Sequence, residues 1–168
     1  MSAGPVLMIT ADAWHFIGRE AYRSLDGCET GGILLGLDDG RTVSILEAGG
    51  PGPNATRGPK RFLRDLDHAQ LLAASAWAKD GSQWIGEWHT HPGGEPIPSE
   101  IDLCSYHRHL LDPDLHLDRF IAIIVALDRT GNVVAVAWLV NHEGARPLAL
   151  QVSDSARPDH INPLRGMK

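Results

Sequence analysis

The chain has 168 residues, 43% of them hydrophobic, and a formal net charge of −6. That length suits a single domain with an ordinary core. The acidic balance and the lack of a Lys/Arg run argue against a nucleic-acid surface, and no apolar run approaches the roughly 20 residues of a membrane helix. Two cysteines, Cys28 and Cys104, make neither a disulfide framework nor a CxxC pair. The N-terminus "MSAGPVLMITADAW" has no basic region ahead of its apolar stretch, so no secretory signal is expected and the cytoplasm is the expected location.

In chain order, "PVLMIT" reads as a short strand bounded by Pro5 and Thr10. "TADAWHFIGREAYRSL" places Trp14, Ile17, Ala21 and Leu25 at helical spacing, with Thr10 or Asp12 as the cap. "CETGGILLGL" turns the chain into a strand, and "RTVSILEAG" is another. "GGPGPNATRGPK" is a polar Gly/Pro-rich loop, and "KRFLRD" a short strand. The cations of "GPKRFLR" read as a solvated strand edge. "DLDHAQLLAASAWAKDG" is a helix closed by Gly81. "SQWIGEWHTH" is a strand, and "PSEIDLCSYHRHLL" begins a helix that Ser99 can cap. Two strong β runs, "DRFIAIIVALD" and "NVVAVAWLVN", are joined by the turn "RTGN", and "RPLALQV" is a last strand. Residues 1–153 are expected to form the domain, and 154–168 a polar, flexible tail. Interleaved strands and helices give an α/β or α+β class.

The densest chemistry lies in "GEWHTHPGGEPIPSEID". In a strand, residues i and i+2 point to one face, so His89 and His91 project together, about 6.6 Å apart along the chain. Trp88 and Thr90 then face the other side. A catalytic zinc takes three protein ligands and keeps one position open. Asp102, in the first turn of the helix that Ser99 caps, is the natural third ligand, although it could merely complete a capping pattern with Ser99. Such a site needs a proton carrier. Glu87 shares the histidine face, whereas Glu29 stands at a rigid turn into a strand, and spacing alone leaves both open. His107 and His109 also form an HxH, but in a predicted helix they diverge by about 200°. Asp112, Asp114, His116 and Asp118 read as a polar connector. His15, His68, His142 and His160 have no partner pattern.

These residues resemble the JAMM motif of MPN+ zinc metalloproteases: His89, His91, Pro92, Ser99 and Asp102, with "ETGGILLG" similar to the segment that bears the family's catalytic glutamate, here Glu29. The element order matches from about Val6 to Val152. The resemblance implies a single MPN domain with a mixed, curved sheet flanked by helices, a cytidine-deaminase-like αβα sandwich. It implies one Zn2+ held by His89, His91 and Asp102. Glu29 would shuttle the proton of the attacking water to the leaving amine, and Ser99 would donate to the oxyanion. The substrate implied is the amide after the C-terminal glycine of a ubiquitin-like protein or its conjugate. The chain is most similar to stand-alone prokaryotic members, some of which sit beside E1- and E2-like enzymes in antiphage systems such as CBASS or Bil. It lacks the eukaryotic deubiquitinases' extra structural zinc insertion. Two alternatives remain: a hydrolase releasing an amino acid from a sulfur-carrier protein, and an inert MPN scaffold.

Overall fold

The computed structural model describes residues 4–154. The polar tail expected from 154 onward therefore lies almost wholly outside the described residues. No helix among those described is long and apolar enough to cross a membrane.

Strand β1 (Val6–Thr10) runs straight into α1 (Ala11–Ala21). Thr10 rather than Asp12 is the cap: its hydroxyl accepts the Ala13 N–H at 3.2 Å and donates to the Leu46 carbonyl at 3.2 Å. The helical spacing expected to continue to Leu25 tightens into a 3-10 turn over Tyr22–Asp26, which Gly27 closes at φ 83°. A hairpin of β2 (Gly31–Asp38) and β3 (Thr42–Ala48) follows. The Gly/Pro-rich segment read as pure loop contains strand β4 (Thr56–Gly58), which pairs with β5 (Arg61–Leu63) in a small separate hairpin. Helix α2 (Leu66–Asp80) is capped by Asp65 and closed by Gly81 in the left-handed conformation. Then come β6 (Gln83–Pro92), α3 (Glu100–Leu111), β7 (Arg119–Leu127) and β8 (Val133–Asn141).

The run read as one last strand is split into β9 (Gly144–Leu148) and β10 (Leu150–Ser153). The reason is topological. The main sheet has eight strands in the order β10-β1-β3-β2-β6-β7-β8-β9. It curls until one segment, 144–153, pairs first with β8 and then with β1, so a single ribbon serves both edges.

Strand β7 explains the core. Phe120 to Leu127 are all buried, the continuous apolar run of a strand covered on both faces. On one face Ile121, Ile123, Val125 and Leu127 pack with Trp88, Leu34, Ala13 and Ile17, which brings α1 onto the sheet. On the other, Phe120 and Ala122 meet Tyr106 and Leu110 of α3, while Ala69 and Ala76 of α2 lie against Ile33 and Leu35. Helices thus cover both faces of a mixed sheet, as expected.

Central position fixes β6. It pairs parallel with β7 (His89 opposite Ile124) and antiparallel with β2 (His89 opposite Gly31). Because β2 runs the other way, its N-terminus, just after Glu29, meets the histidine end of β6.

Candidate metal centre

Alternation along β6 sorts its side chains as the period of two requires. Trp88 is 1% exposed in the main core, its indole N–H donating to the Gly49 carbonyl at 2.9 Å, and Thr90 is fully buried. His89 and His91 point the other way. Their Nε2 atoms stand 3.0 Å apart. The carboxylate of Asp102 faces both: Oδ1 lies 3.4 Å from His89 Nε2, and Oδ2 lies 3.4 Å from His91 Nε2. Ligand atoms of a tetrahedral zinc bound at 2.0–2.1 Å stand about 3.3–3.4 Å from one another; each imidazole has one carboxylate oxygen at that distance, and two histidines with a carboxylate are a donor set that suits such an ion. Among the described residues it is the one His/Cys/Asp/Glu group with metal-holding geometry, its ligand atoms all within 4.8 Å.

Neighbours set the chemistry of these groups. His91 Nδ1 donates to the Glu95 carbonyl at 2.8 Å, which leaves Nε2 with its lone pair in the neutral ring. Burial works to lower the His91 pKa, but Asp102 and the Glu95 carbonyl outweigh it and the net shift is upward. Burial works to raise Asp102, yet hydrogen bonds from His89, His91 and Ser99 hold its carboxyl far below the ordinary range. Ser99 and Asp102 form a full capping box. Asp102 N–H donates to Ser99 Oγ, and Ser99 donates both its N–H and its O–H to Asp102 Oδ2 at 2.7 Å. The capping role and a place beside the histidines are therefore both realised in one residue. The connecting loop is anchored: Gly93 N–H donates to the Leu127 carbonyl, and the Trp138 indole donates to the Pro96 carbonyl at 3.0 Å.

Glu29 and Glu87 part company here. Glu87 is held by Arg64, whose Nη2 lies 2.5 Å from its carboxylate. The half-buried Glu29 side chain has no hydrogen bond or ion pair among the described residues. Burial raises its pKa above the ordinary value, His89 and His91 pull it back, and Asp102 adds to the rise. Its backbone is gripped from both sides. Glu29 N–H donates to the Gly58 carbonyl at 2.8 Å. Arg57 donates to the Glu29 carbonyl at 3.0 Å and to the Cys28 carbonyl at 3.1 Å, and forks onto Asp26. A buried hydroxyl network, Ser24 to Thr90 and Thr90 to Thr30, ties this turn to β6. Gly31 completes the fit: a Cβ there would stand 2.3 Å from the Trp88 carbonyl oxygen and 2.8 Å from His89 Cβ.

Arg57 and Arg64 also belong to the surroundings of the site, which the sequence does not announce. Their signal is weak, two arginines in and beside a Gly/Pro-rich stretch. The "TGG" pair was the better clue, since glycine in a strand marks close backbone approach. His107 and His109 both fall in α3. His107 bonds the Leu103 carbonyl, and His109 packs edge-on against Trp84 at 5.0 Å between centroids. The 112–118 segment is a turn-bearing connector in which Asp114 N–H donates to Asp112.

A curled mixed sheet with helices on both faces and a His-His-Asp cluster at the mouth of a central strand is the frame of a JAB/MPN domain. The chain belongs to the family described as prokaryotic homologs of the JAB domain, whose model matches residues 17–142. It is 33% identical over 125 residues to a protein named CD-NTase/cGAS isopeptidase from Enterobacter hormaechei subsp. hoffmannii (73% of this chain, 68% of that one). It is 31% identical over 100 residues to a protein named desampylase from Haloferax volcanii (57% and 69%). Against other CD-NTase/cGAS isopeptidases the chain spans 51–63% of their length. The fold is similar to that of protein DSY2949 from Desulfitobacterium hafniense, with a TM-score of 0.69, 20% identity, and 94% of this chain and 99% of that one covered.

Proposed function

We propose that this chain is a zinc-dependent isopeptidase that hydrolyses the amide bond after the C-terminal glycine of a ubiquitin-like protein, in deconjugation or precursor processing. The observation that carries the reading is an unpartnered, half-buried glutamate beside a converging His-His-Asp donor cluster. Relatives named isopeptidase and desampylase support the reaction class. On the resemblance set out above, its partners would include E1- and E2-like conjugation enzymes of a bacterial defence system.

In this reading His89, His91 and Asp102 hold the ion, which when bound supplies a Lewis acid for the scissile carbonyl and lowers the pKa of water. Glu29 accepts the proton of the attacking water and returns it to the leaving amine. Its raised pKa suits both halves of that task, because a base that is too weak cannot take a proton and one that is too strong does not release it. Ser99 turns its hydroxyl proton from Asp102 Oδ2 to the developing oxyanion. Asp102 still keeps the Ser99 backbone N–H, so the carboxylate holds its position while the hydroxyl swings.

The test is a ubiquitin-like protein fused through its C-terminal glycine to a cargo, incubated with and without a chelator. Cleavage after the glycine is expected, lost on chelation and restored by zinc. Glu29→Gln should retain one zinc per chain and lose cleavage. Chelator-insensitive cleavage, or an active Glu29→Gln protein beside a dead Glu87→Gln protein, refutes the assignment.

A further inference from the structure

The His-His-Asp cluster lies in a groove of about 880 Å³, near the upper end of the roughly 300–1,000 Å³ of ligand clefts. One wall is a single face of α3. Ile101, Cys104, Ser105 and Arg108 stand at i, i+3, i+4 and i+7, and all four line the groove. This wall has a polarity along its length. Ile101, 76% exposed, adjoins Asp102. Two small side chains follow, and Arg108 lies seven residues beyond Ile101, about 10 Å at 1.5 Å per residue. The facing wall is the β5 side of the small hairpin, with Lys60 and Arg61. The sequence cluster "GPKRFLR", which reads as a solvated strand edge, thus faces the reactive centre.

Four cations and four carboxylates line the groove, and what distinguishes them is which are already paired. Arg64 is neutralised by Glu87. Asp102 is engaged by the histidines, and Lys60, Arg61 and Arg108 have no ion pair among the described residues, against the two unpaired carboxylates of Glu29 and Glu100. In a chain of net charge −6, three unpaired cations around one groove are a local concentration of positive groups. An unpaired cation at the wall of a cleft attracts an anionic group of a ligand.

We infer that the groove selects an extended C-terminal tail with an acidic side chain about three residues before the scissile bond, placed on Arg108, with Lys60 and Arg61 reinforcing the field. The inference rests on the isopeptidase reading above and adds the chemistry of the substrate's tail. An extended chain advances about 3.3 Å per residue, so three residues span the 10 Å from Ile101 to Arg108. The small Cys104 and Ser105 leave room for backbone between them. The occupant of this wall is the tail and not the leaving side. The leaving side of an isopeptide bond is a lysine side chain on a folded target, which has no extended backbone to lay along two turns of a helix.

The test uses a diglycine-ended ubiquitin-like protein fused to a fluorescent cargo, with the third residue before the scissile bond set in turn to Glu, Gln and Lys. The zinc-loaded protein is assayed at low and high salt. Binding of the three matching tail peptides to the Glu29→Gln protein is measured in parallel by fluorescence anisotropy. The expected order is Glu over Gln over Lys, with about a tenfold spread in kcat/KM and in affinity that shrinks at high salt. Arg108→Glu should invert the order without changing zinc content, and Arg61→Glu should narrow the spread. Equal values for Glu and Lys tails, or an unchanged order in a folded Arg108→Glu protein, overturn the inference. Absent cleavage with acidic-tail binding intact sinks the isopeptidase reading and leaves the tail preference standing.

Discussion

Gly31→Ala is the substitution that best tests how the fold places the reactive groups. The new Cβ would stand 2.3 Å from the Trp88 carbonyl oxygen and 2.8 Å from His89 Cβ. Neither neighbour can yield. Trp88 is locked in the core by its indole hydrogen bond to Gly49, and β6 is paired on its far side to β7. Ordinary contact lies near 3.5 Å, so β2 must retreat by about 1 Å. Overpacking of this kind costs about 1–3 kcal/mol. At about 2–4 °C per kcal/mol for a domain of this size, Tm should fall by roughly 2–12 °C. Glu29, two residues upstream on the same segment, retreats with the strand, and a displacement of about 1 Å from the reactive position costs about 100-fold in rate. Differential scanning calorimetry and a single-turnover cleavage assay measure the two effects. Wild-type kcat at an unchanged Tm would refute the reasoning.

Three further outcomes follow from other parts of the molecule. Arg57→Ala frees the Glu29 and Cys28 carbonyls from their clamp, so kcat should drop up to about 100-fold while zinc content and KM stay near wild type, and Arg57→Lys should restore only part. Gly18→Ala, in the interior of α1 with open space around the new methyl, should stabilise by about 0.5–1 kcal/mol and raise Tm by a few degrees in thermal melts. Asp128 in the β7–β8 turn is held down to about 2 from its ordinary 3.8 by Thr130 and Asn132. A depressed carboxylate stabilises above its unfolded pKa and loses that contribution as pH falls through the folded one. The Tm gap between wild type and Asp128→Ala should therefore be constant above about pH 4 and narrow toward pH 2.

Much of this architecture is legible in the chain because burial writes periodicity into it. The unbroken apolar run of β7 announces a strand covered on both faces, and Ser99 ahead of "EID" announces the start of α3. What is illegible depends on partners distant in sequence. Nothing in "RPLALQV" tells that Leu148 ends one pairing and Leu150 begins another, because the break is made by the curl of the whole sheet and not by a local turn signal. Strand β4 is hidden for a similar reason. Its three residues have no amphipathic pattern, and they are ordered by Arg57 and Gly58 reaching back to the turn at Glu29.

The choice between Glu29 and Glu87 shows where local pattern stops and tertiary structure takes over. Both glutamates line the same groove, Glu87 from β6 and Glu29 from the turn before β2. On the sequence the two stay open, since Glu87 shares the histidine face of β6 and Glu29 stands at a rigid turn into a strand. The proposed assignment rests on what each carboxylate touches. A general base must be free to exchange a proton, and a carboxylate gripped by a guanidinium resists protonation. Arg64 grips Glu87 in this way, so that glutamate is suited to hold β6 to the hairpin side of the groove and not to shuttle protons. Glu29 is the reverse: its backbone is fixed by Arg57 and Gly58 while its side chain is left without a partner, half-buried beside the histidines. A rigid main chain bearing an uncommitted carboxylate is the arrangement that proton transfer needs, and it is produced by an arginine 28 positions away along the chain.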